Sequence, residues 1–333
     1  MLQENIRIKA KELNLKEIRF LPVQTFPIWE EGILVRKKLK PTTSNYWESI
    51  RLTGNVEEIM ENANTIIVAI NPYKPFHQIF PEGYGKYSAH YEAYPKGRAA
   101  IIKLGRILTE QGYNAIIDPP LPAKQIAYKA GLGLFGKNGL LYHPTYGSYI
   151  TIHTIITDAA FKYDGIEPEG ISDCGNCRLC IENCPMQAIG DRGIVYADKC
   201  LRYYMFSSAA IPIKAREKMG MRMLGCEDCQ FLCPKNKNII KHPILTEKNQ
   251  LIFNISEILK LSFTGLKKHC ESIGSVIGKN YAKPTKILSM AIIAAGNSGN
   301  ISYIPLLKQL MNHPDPTIRD YSSWAINMLE GKF

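Results

Sequence analysis

Long apolar runs are missing from this sequence of 333 residues. None approaches the roughly 20 consecutive apolar residues that a membrane-spanning helix needs. Residues 1–15 have the pattern of an amphipathic, charged helix, not that of the apolar core of a secretion signal. The composition, 45% hydrophobic and 21% charged, is typical of a soluble globular protein. We therefore expect a cytoplasmic protein that has no membrane partner.

Acidic residues are in short supply. The sequence has 30 of them against 41 lysines and arginines, which gives a formal net charge of +11. Such an excess favours a polyanionic partner, and RNA is one that fits. A lysine-rich surface that is only well solvated would give the same total. The length allows two or three domains.

Cysteine is nearly absent outside one segment, because eight of the nine cysteines lie between residues 174 and 233. The first four have the spacing C-x2-C-x2-C-x3-C-P, which in bacterial ferredoxins holds iron–sulfur clusters and gives its fourth cysteine to the second cluster. An isolated cysteine follows, and then C-x2-C-x3-C-P. We predict two [4Fe–4S] clusters and hence electron transfer. One cluster would take Cys174, Cys177, Cys180 and Cys233, and the other Cys184, Cys200, Cys226 and Cys229.

Two other uses of these cysteines fit the sequence less well. Disulfides need an oxidising compartment, and nothing in the sequence indicates one. Zinc prefers four thiolates in two C-x2-C pairs, whereas both halves of this segment end in Cys-Pro and the first has a third cysteine. Cys270 lies outside the segment, and we expect it to be a buried structural thiol.

Hydrophobic patterns predict an N-terminal α/β region. Strands are expected over residues 16–23, 65–70, 114–117 and 149–157, and helices over 4–13, 97–111 and 123–130. Asp118 follows the third strand and begins a proline-rich loop that cannot continue a sheet or helix. Polar residues at strand ends are common site positions in α/β proteins. Residues 26–54 show no clear pattern.

Two further stretches of this region have compositions that suit a ligand pocket. Four tyrosines lie between residues 83 and 94, and tyrosine combines a flat stacking face with a polar tip. Residues 131–139 hold four glycines, which permit a close approach of the backbone to a ligand. Either stretch could equally be a surface loop.

The tail is mainly helical. Helices are expected over residues 288–295, 302–311 and 317–329, and stacked helical pairs of this kind form extended binding surfaces. Lysines and arginines of this region, Lys283, Lys286 and Arg319 among them, are candidates for contacts with a phosphate backbone. A domain that only packs against the rest of the chain is the alternative.

These motifs together resemble those of the epoxyqueuosine reductase family, and the resemblance covers most of the chain. It rests on A-G-L-G-L-F-G-K-N at residues 130–138, on the cysteine spacing with its G-C-E-D-C-Q and C-P-K-N segments, and on two tail motifs. The tail motifs are A-G-N-S-G at 295–299 and P-T-I-R-D-Y-S-S-W-A at 316–325, which resemble a HEAT-like repeat.

The resemblance implies an α+β, α/β multidomain fold with three parts. Residues 1–165 would form an α/β domain that binds cobalamin and substrate, 166–240 a ferredoxin-like module with two [4Fe–4S] clusters, and 241–333 a helical HEAT-like domain. Implied cobalamin contacts are Gly131, Gly133, Gly136, Lys137 and Asn138. The tyrosine-rich stretch and the basic tail supply the candidate substrate contacts, Tyr87, Tyr91, Lys283, Lys286 and Arg319.

The resemblance also implies an oxidoreductase that reduces epoxyqueuosine in tRNA to queuosine, with a flavodoxin or ferredoxin as low-potential electron donor. In the family the proton comes from an aspartate ahead of the glycine motif. Counted without a gap, that position falls on Ile117, and a slip of one residue places it on Asp118, which we predict to be the catalytic acid. A tyrosine near Tyr87 or Tyr91 is the alternative.

Two other functions remain open at this point. A paralogue could use the same cofactors on a different, small substrate, as reductive dehalogenases do. A pure electron carrier could re-reduce another corrinoid protein. The tail and the basic charge favour tRNA, whereas the altered loop at Asp118 favours a paralogue.

Overall fold

The computed structural model describes residues 1–40, 44–49, 51–76, 80–165, 168, 170–190, 193–207, 209–240 and 251–332. The chain forms two compact units, each assembled from separate stretches. The first unit comprises Met1–Lys74, Ala93–Asp198 and Cys229–Lys241, and the second comprises Pro75–Glu92, Lys199–Asp228 and His242–Phe333. The three predicted domains stay a prediction, and their boundaries fall at or beside residues outside the described ones.

The described residues contain eight strands and fifteen α-helices. The strands are β1 (Glu17–Pro22), β2 (Thr65–Pro72), β3 (Lys86–Tyr87), β4 (Ala115–Ile117), β5 (Leu134–Phe135), β6 (Leu141–Tyr142), β7 (Ile150–Thr157) and β8 (Arg222–Leu224). The helices are α1 (Leu2–Glu12), α2 (Pro27–Leu39), α3 (Ser44–Ser49), α4 (His90–Glu110), α5 (Ala123–Lys129), α6 (Leu179–Glu182), α7 (Leu201–Phe206), α8 (Ile213–Met219), α9 (Asp228–Phe231), α10 (Lys237–Ile240), α11 (Ile255–Lys260), α12 (Leu266–Ile277), α13 (Pro284–Asn297), α14 (Ile304–Leu310) and α15 (Pro316–Leu329).

A four-stranded sheet organises the first unit. Its order is β1-β2-β7-β4, and every neighbouring pair is antiparallel. All four strands were predicted from the sequence, with ends that differ by a few residues. Helices or loops cover both faces, so the two central strands are buried almost throughout. This is why the sequence of β2 is a nearly continuous apolar run, a pattern that is more common in parallel sheets.

The two faces of the sheet carry separate hydrophobic cores. Alternate residues of β2 enter each, because successive side chains of a strand point to opposite faces. On one face Ile66, Val68 and Ile70 pack with α5 and with the β5–β6 hairpin. On the other, Ile67 and Ala69 pack with α1 and α4. The hairpin therefore lies on the face opposite to α1 and α4.

The second unit is mainly helical. Its centre is α13, whose residues from Ile287 to Gly296 are all buried and which packs against α11, α12 and α15. A Cβ at Gly296 would lie 2.9 Å from the Cα of Ala325, so this glycine lets α13 and α15 approach closely. A short parallel pair, β3 with β8, joins two stretches of the unit.

The structure extends several of the predicted elements. Helix α4 begins at His90, seven residues before the predicted start, because it continues through Pro95. Two helices, α2 and α3, occupy the segment in which the sequence showed no pattern. Among the described residues, no helix has the length and apolar character needed to cross a bilayer.

Candidate iron–sulfur and proton-donor sites

Four thiols meet at one cavity of the first unit. Cys174, Cys177, Cys180 and Cys233 line it, together with Leu179 and Pro234 from the same segments. Burial raises the pKa of Cys180, and the negative charge of the other three thiolates raises it further. Bound iron would relieve that repulsion, since a coordinating thiol is deprotonated and faces a cation. The donor set and the cavity fit the predicted [4Fe–4S] cluster.

The remaining wall of the cavity comes from the β5–β6 hairpin. The Lys137 Nζ donates hydrogen bonds to the carbonyl oxygens of Gly175, at 2.6 Å, and Cys177, at 2.9 Å. The Phe135 amide donates to the Ile171 carbonyl at 2.9 Å. The hairpin therefore holds the loop that bears the first cysteines, and Lys137 does so through a charge-assisted contact.

Asn138 connects the same hairpin to the last cysteines. Its buried side-chain amide donates to the Tyr142 hydroxyl at 2.7 Å and to the Cys229 carbonyl at 3.1 Å, and its oxygen accepts from the Leu140 amide at 3.2 Å. Burial and a hydrogen bond with Cys233 raise the pKa of Tyr142, which keeps its hydroxyl neutral. Lys137 and Asn138 thus serve the cysteine cavity.

A second asparagine, Asn236, holds the end of the cysteine segment by hydrogen bonds, and it was not among the predicted site residues. Its side chain is fully buried. Its oxygen accepts from the Ser148 amide at 2.9 Å, while its amide donates to the Ser148 hydroxyl at 2.9 Å and to the Gln230 carbonyl at 2.8 Å. The position of Asn236 in the C-P-K-N segment was the only signal that could have identified it.

In the glycine stretch, Tyr142 fills the space beside two of the glycines. A Cβ at Gly133 would lie 2.3 Å from the Tyr142 carbonyl oxygen, and one at Gly136 would lie 2.6 Å from the Tyr142 ring. These glycines let β5 and β6 approach each other. Contact of cobalamin with Gly131, Gly133, Gly136, Lys137 and Asn138 stays a prediction of the resemblance.

The second set of cysteines is distributed over the two units. Cys184 and Cys229 belong to the first, and Cys200 and Cys226 to the second. Burial raises the pKa of Cys226 to about 12, with further contributions from Asp228 and Cys200. Their ligation of one common cluster stays a prediction. Among the described residues, no group of three or more His, Cys, Asp or Glu side chains is placed to hold a single metal ion.

Asp118 lies at the end of β4 in a network of polar side chains. Its carboxylate accepts from the Thr154 amide at 3.1 Å, lies 3.1 Å from the His153 Nδ1, and pairs with Arg98 at 3.2 Å. Only a tenth of the Asp118 side chain is exposed, and His153 is fully buried. The φ of Asp118 is 45°, in the left-handed region that few residues other than glycine adopt.

Ile117, where the family's aspartate would fall without a gap, is partly buried against the core. It pairs with Ile155 in the sheet and packs with the side chains beneath α1 and α4. A Cβ at Gly105 would lie 2.4 Å from its Cδ1. An apolar side chain held in this way cannot supply a proton, so Asp118 is the only acid at this strand end in the described part of the chain.

The two tyrosines predicted to contact substrate are interior residues of the second unit. Tyr87 is 4% exposed, donates to a Glu92 carboxylate oxygen at 2.5 Å and packs edge-on against Phe76 and Phe253. Tyr91 is 2% exposed, stacks on Phe206 and accepts from the Arg202 Nε at 3.3 Å. Burial raises the pKa of both hydroxyls, that of Tyr91 to about 12.

The three cations predicted to contact tRNA differ in their surroundings. Lys283 is exposed where α13 begins. The Lys286 Nζ donates to the Tyr204 carbonyl at 3.0 Å, and burial lowers its pKa. The Arg319 guanidinium donates to the carbonyls of His313, at 2.7 Å, and Pro314, at 2.9 Å. Lys286 and Arg319 therefore brace their own unit.

Comparison with known proteins places these features in context. Residues 173–236, which include all eight clustered cysteines, match the family of 4Fe–4S double cluster binding domains. The chain is 27% identical to an epoxyqueuosine reductase from Lactococcus garvieae over 99% of its own length and 97% of that protein. It is 30% identical to the Staphylococcus aureus enzyme over 64% of this chain, an alignment that spans 55% of that protein.

Solved structures of the same enzymes have a similar fold. An epoxyqueuosine reductase from Streptococcus thermophilus matches 99% of this chain and 91% of its own, with a TM-score of 0.79 and 25% identity. The Bacillus subtilis enzyme, with its catalytic aspartate loop swung out of the active site, matches 98% of this chain and 90% of its own with a TM-score of 0.82 and 23% identity. Another matching structure, at a TM-score of 0.80 and 23% identity over 98% of this chain and 90% of its own, is an epoxyqueuosine reductase with an epoxyqueuosine-modified tRNA stem loop.

Proposed function

We propose that this chain, a homologue of the epoxyqueuosine reductases along its whole length, reduces the epoxide of epoxyqueuosine in tRNA to give queuosine. The observation that carries the proposal is the alignment with the Lactococcus garvieae enzyme, which leaves almost no part of either protein unmatched. The double-cluster match and the cavity of four thiols support a reductive reaction. Epoxide reduction to an alkene consumes two electrons and two protons and releases water.

The cofactors that we propose are two [4Fe–4S] clusters and cobalamin. The clusters would deliver electrons one at a time, and cobalamin, when bound, would supply a strongly reducing cobalt centre. We assign Lys137 and Asn138 to the cluster cavity on the basis of their hydrogen bonds. Contacts of these two residues and of Gly131, Gly133 and Gly136 with the corrin are part of the proposal, and the support for cobalamin is the similarity to the family.

For the proton we propose Asp118. Its carboxylate pairs with Arg98, accepts a hydrogen bond from the Thr154 amide and lies within hydrogen-bond distance of the His153 Nδ1. This carboxyl group lies at a strand end, in a left-handed backbone conformation and in contact with a buried imidazole. Such a position suits a general acid for a reaction that takes up protons.

The proposed partners follow from the reaction and the charge. The substrate is a tRNA, and the net charge of +11 suits it. The electron donor would be a flavodoxin or ferredoxin. The helices of the second unit, α11 to α15, would form the HEAT-like part that contacts RNA. We place the protein in the cytoplasm, where thiols stay reduced.

The deciding experiment is anaerobic turnover. Protein with reconstituted clusters and added cobalamin receives a low-potential reductant and epoxyqueuosine-containing tRNA, and queuosine is measured. Formation of queuosine that falls at least a hundredfold in Asp118→Asn supports both substrate and acid. Absence of queuosine from protein whose clusters and cobalamin are reduced would refute the proposed substrate.

A second candidate function rests on Ile117. Because this position is an apolar residue packed against the core and not an aspartate, a paralogue that reduces a different, small substrate is the alternative. It predicts that cobalamin binds and is reduced while epoxyqueuosine-containing tRNA is neither bound nor changed. Titration of the protein with that tRNA separates the two candidates.

A further inference from the structure

We propose that the exposed surface around the thiol cavity is the docking surface of an acidic electron-carrier protein. We call it the donor face and define it by Ile171, Arg178, Leu179, Leu232 and Lys235, all in the first unit. The inference rests on the proposed function only in requiring an external electron donor. It assigns the entry of electrons to the cluster on Cys174, Cys177, Cys180 and Cys233.

The donor face borders the thiols directly. Residues 175–179, including Cys177, are exposed without interruption. Leu179 and Leu232 are 42% and 46% exposed, and each immediately precedes a cysteine of the cavity, at a Cα separation of about 3.8 Å. Ile171 is exposed too, and its backbone bond to Phe135 places it beside Gly136, which lines the cavity.

The apolar part of this surface is unusual for its position. Three large aliphatic side chains remain in water although the loops that carry them are fixed by Lys137, Asn138 and Asn236. Exposed apolar residues next to a functional site commonly mark a protein interface. Electron-transfer partners make small interfaces, below about 1,200 Å² in total, so a few such residues beside the cysteines suit a transient contact.

The charge of the segments that carry the thiols and the hairpin favours an acidic partner. In the described residues 134–142, 170–182 and 229–237, the cations are Lys137, Arg178, Lys235 and Lys237, and the carboxylates are Asp173 and Glu182. Lys235 pairs with Asp173 at 2.5 Å and Arg178 with Glu182 at 3.6 Å. The charge of Lys137 faces neutral carbonyls, so it is not cancelled there. The remaining positive charge would steer an acidic carrier towards the cluster.

RNA is a poorer occupant of the donor face. Proteins that bind single-stranded nucleic acid combine cations with aromatic rings on which bases stack. The residues that define this face are aliphatic or cationic, and none is aromatic. A folded protein with a redox group near an acidic, partly apolar surface fits both components, whereas RNA fits the charge alone.

The test is the rate at which a reduced acidic ferredoxin reduces the clusters of the full-length, reconstituted protein. The rate is followed by anaerobic stopped-flow absorbance, so no tRNA is needed. We expect Arg178→Glu and Leu232→Glu each to lower the second-order rate constant at least tenfold. Reduction by dithionite should stay within about threefold of wild type. Added salt should slow the wild type more than it slows Arg178→Glu.

Matched controls lie on the helices that cover the opposite face of the sheet. Ile8→Glu on α1 and Lys103→Glu on α4 change an exposed apolar and an exposed basic residue in the same way, and should leave the ferredoxin rate unchanged. Iron content and circular dichroism establish that each variant is folded and loaded. Ile171→Glu, which is further from the cysteines, provides a second probe if Leu232→Glu loses iron.

Two results would overturn the inference. One is a wild-type rate with ferredoxin in all donor-face variants. The other is a loss of tRNA affinity in those variants while ferredoxin still reduces them normally, which would assign the face to RNA. Because the readout is cluster reduction, failure of the proposed substrate would appear separately, as intact reduction without queuosine.

Discussion

The Nζ of Lys137 lies 2.9 Å from the carbonyl oxygen of Cys177, and this contact joins the β5–β6 hairpin to the loop of the first cysteines. A second bond from the same ammonium, to Gly175, fixes the direction of that loop. The cysteine thiols can face the cavity together because a rigid hairpin that packs on the sheet holds their backbone.

Replacement of this lysine should weaken the cluster site. In Lys137→Met the two carbonyls lose their donor at a partly solvated position, at a cost of about 1 kcal/mol. We expect the cluster to be lost to an iron chelator about fivefold faster than in wild type. Lys129→Met, which changes an exposed lysine on α5, is the control and should behave as wild type. Equal rates in the two variants would show that Lys137 does not hold the loop.

The cysteine assignment predicts a difference in iron content. Cys233→Ser removes one thiolate of the four that line the cavity, and should lower the iron content from about eight to about four atoms per chain. Cys270→Ala should retain all the iron, because this thiol is buried and its pKa is raised to about 11 by burial. Iron and sulfide assays after anaerobic reconstitution measure both. A full complement in Cys233→Ser would refute the assignment.

Asp118 should matter for catalysis more than for the cluster. Asp118→Asn keeps the shape of the side chain and can still accept from Thr154, but it cannot carry a proton. We expect cluster reduction by dithionite to remain normal while queuosine formation falls at least a hundredfold. His153→Phe, which removes the partner imidazole, should change the pH profile of turnover. A profile identical to that of wild type would exclude His153 from the proton path.

His143 predicts a pH-dependent stability. Burial lowers its pKa from the ordinary value of about 6.5, and its Nδ1 accepts from the Thr145 amide, which only an unprotonated nitrogen can do. The folded state therefore binds this proton less readily than the unfolded chain. The stabilisation is present above about pH 6.5 and is lost as the pH falls through the lowered pKa.

Chemical denaturation between about pH 8 and pH 5 should show this loss. His143→Asn keeps an acceptor for the Thr145 amide and removes the titration, so its stability should vary less with pH over that interval. Parallel pH curves for the variant and wild type would mean that other groups are responsible.

The second unit has its own stabilising contact in Arg216. The guanidinium donates to the Ile211 carbonyl at 2.8 Å, pairs with Asp320 and lies 4.2 Å from the centre of the Tyr321 ring. Arg216→Met should lower the free energy of unfolding by about 2 kcal/mol, since a buried carbonyl loses a charged donor. Lys214→Met, on the exposed side of α8, should change it by less than about 0.5 kcal/mol. Thermal denaturation of the two variants tests the difference.

Local patterns predicted those strands whose own residues show the spacing of apolar side chains that a strand requires. The β-branched run at 65–70 and the alternation at 149–157 gave β2 and β7, because strands buried between two layers need apolar side chains on both faces. Short intervals between Cys174, Cys177 and Cys180 restrict where these thiols can point and predicted them as one group, and the ferredoxin pattern added the distant Cys233.

Contacts between segments that are distant in the sequence could not be predicted from local patterns. Lys137, Asn138 and Asn236 bond to residues 38 to 91 positions away, and no periodicity encodes such pairs. Tyr87 and Tyr91 looked like pocket residues because tyrosine suits a ligand, but the fold buries their rings among other aromatic side chains. Helix α2 was missed because its apolar residues are spread around the helix and do not form one stripe, and none of them is buried.

The position of the hairpin along the chain has a consequence for maturation in the cell. All four strands of the sheet, and the hairpin that packs on it, lie before residue 158, whereas the first thiol of the cavity comes at Cys174 and the last at Cys233. During synthesis every strand of the sheet therefore leaves the ribosome before the first ligand of the cavity does. All four thiols are present only after Cys233 has emerged, so insertion of the cluster follows the synthesis of the residues that support it.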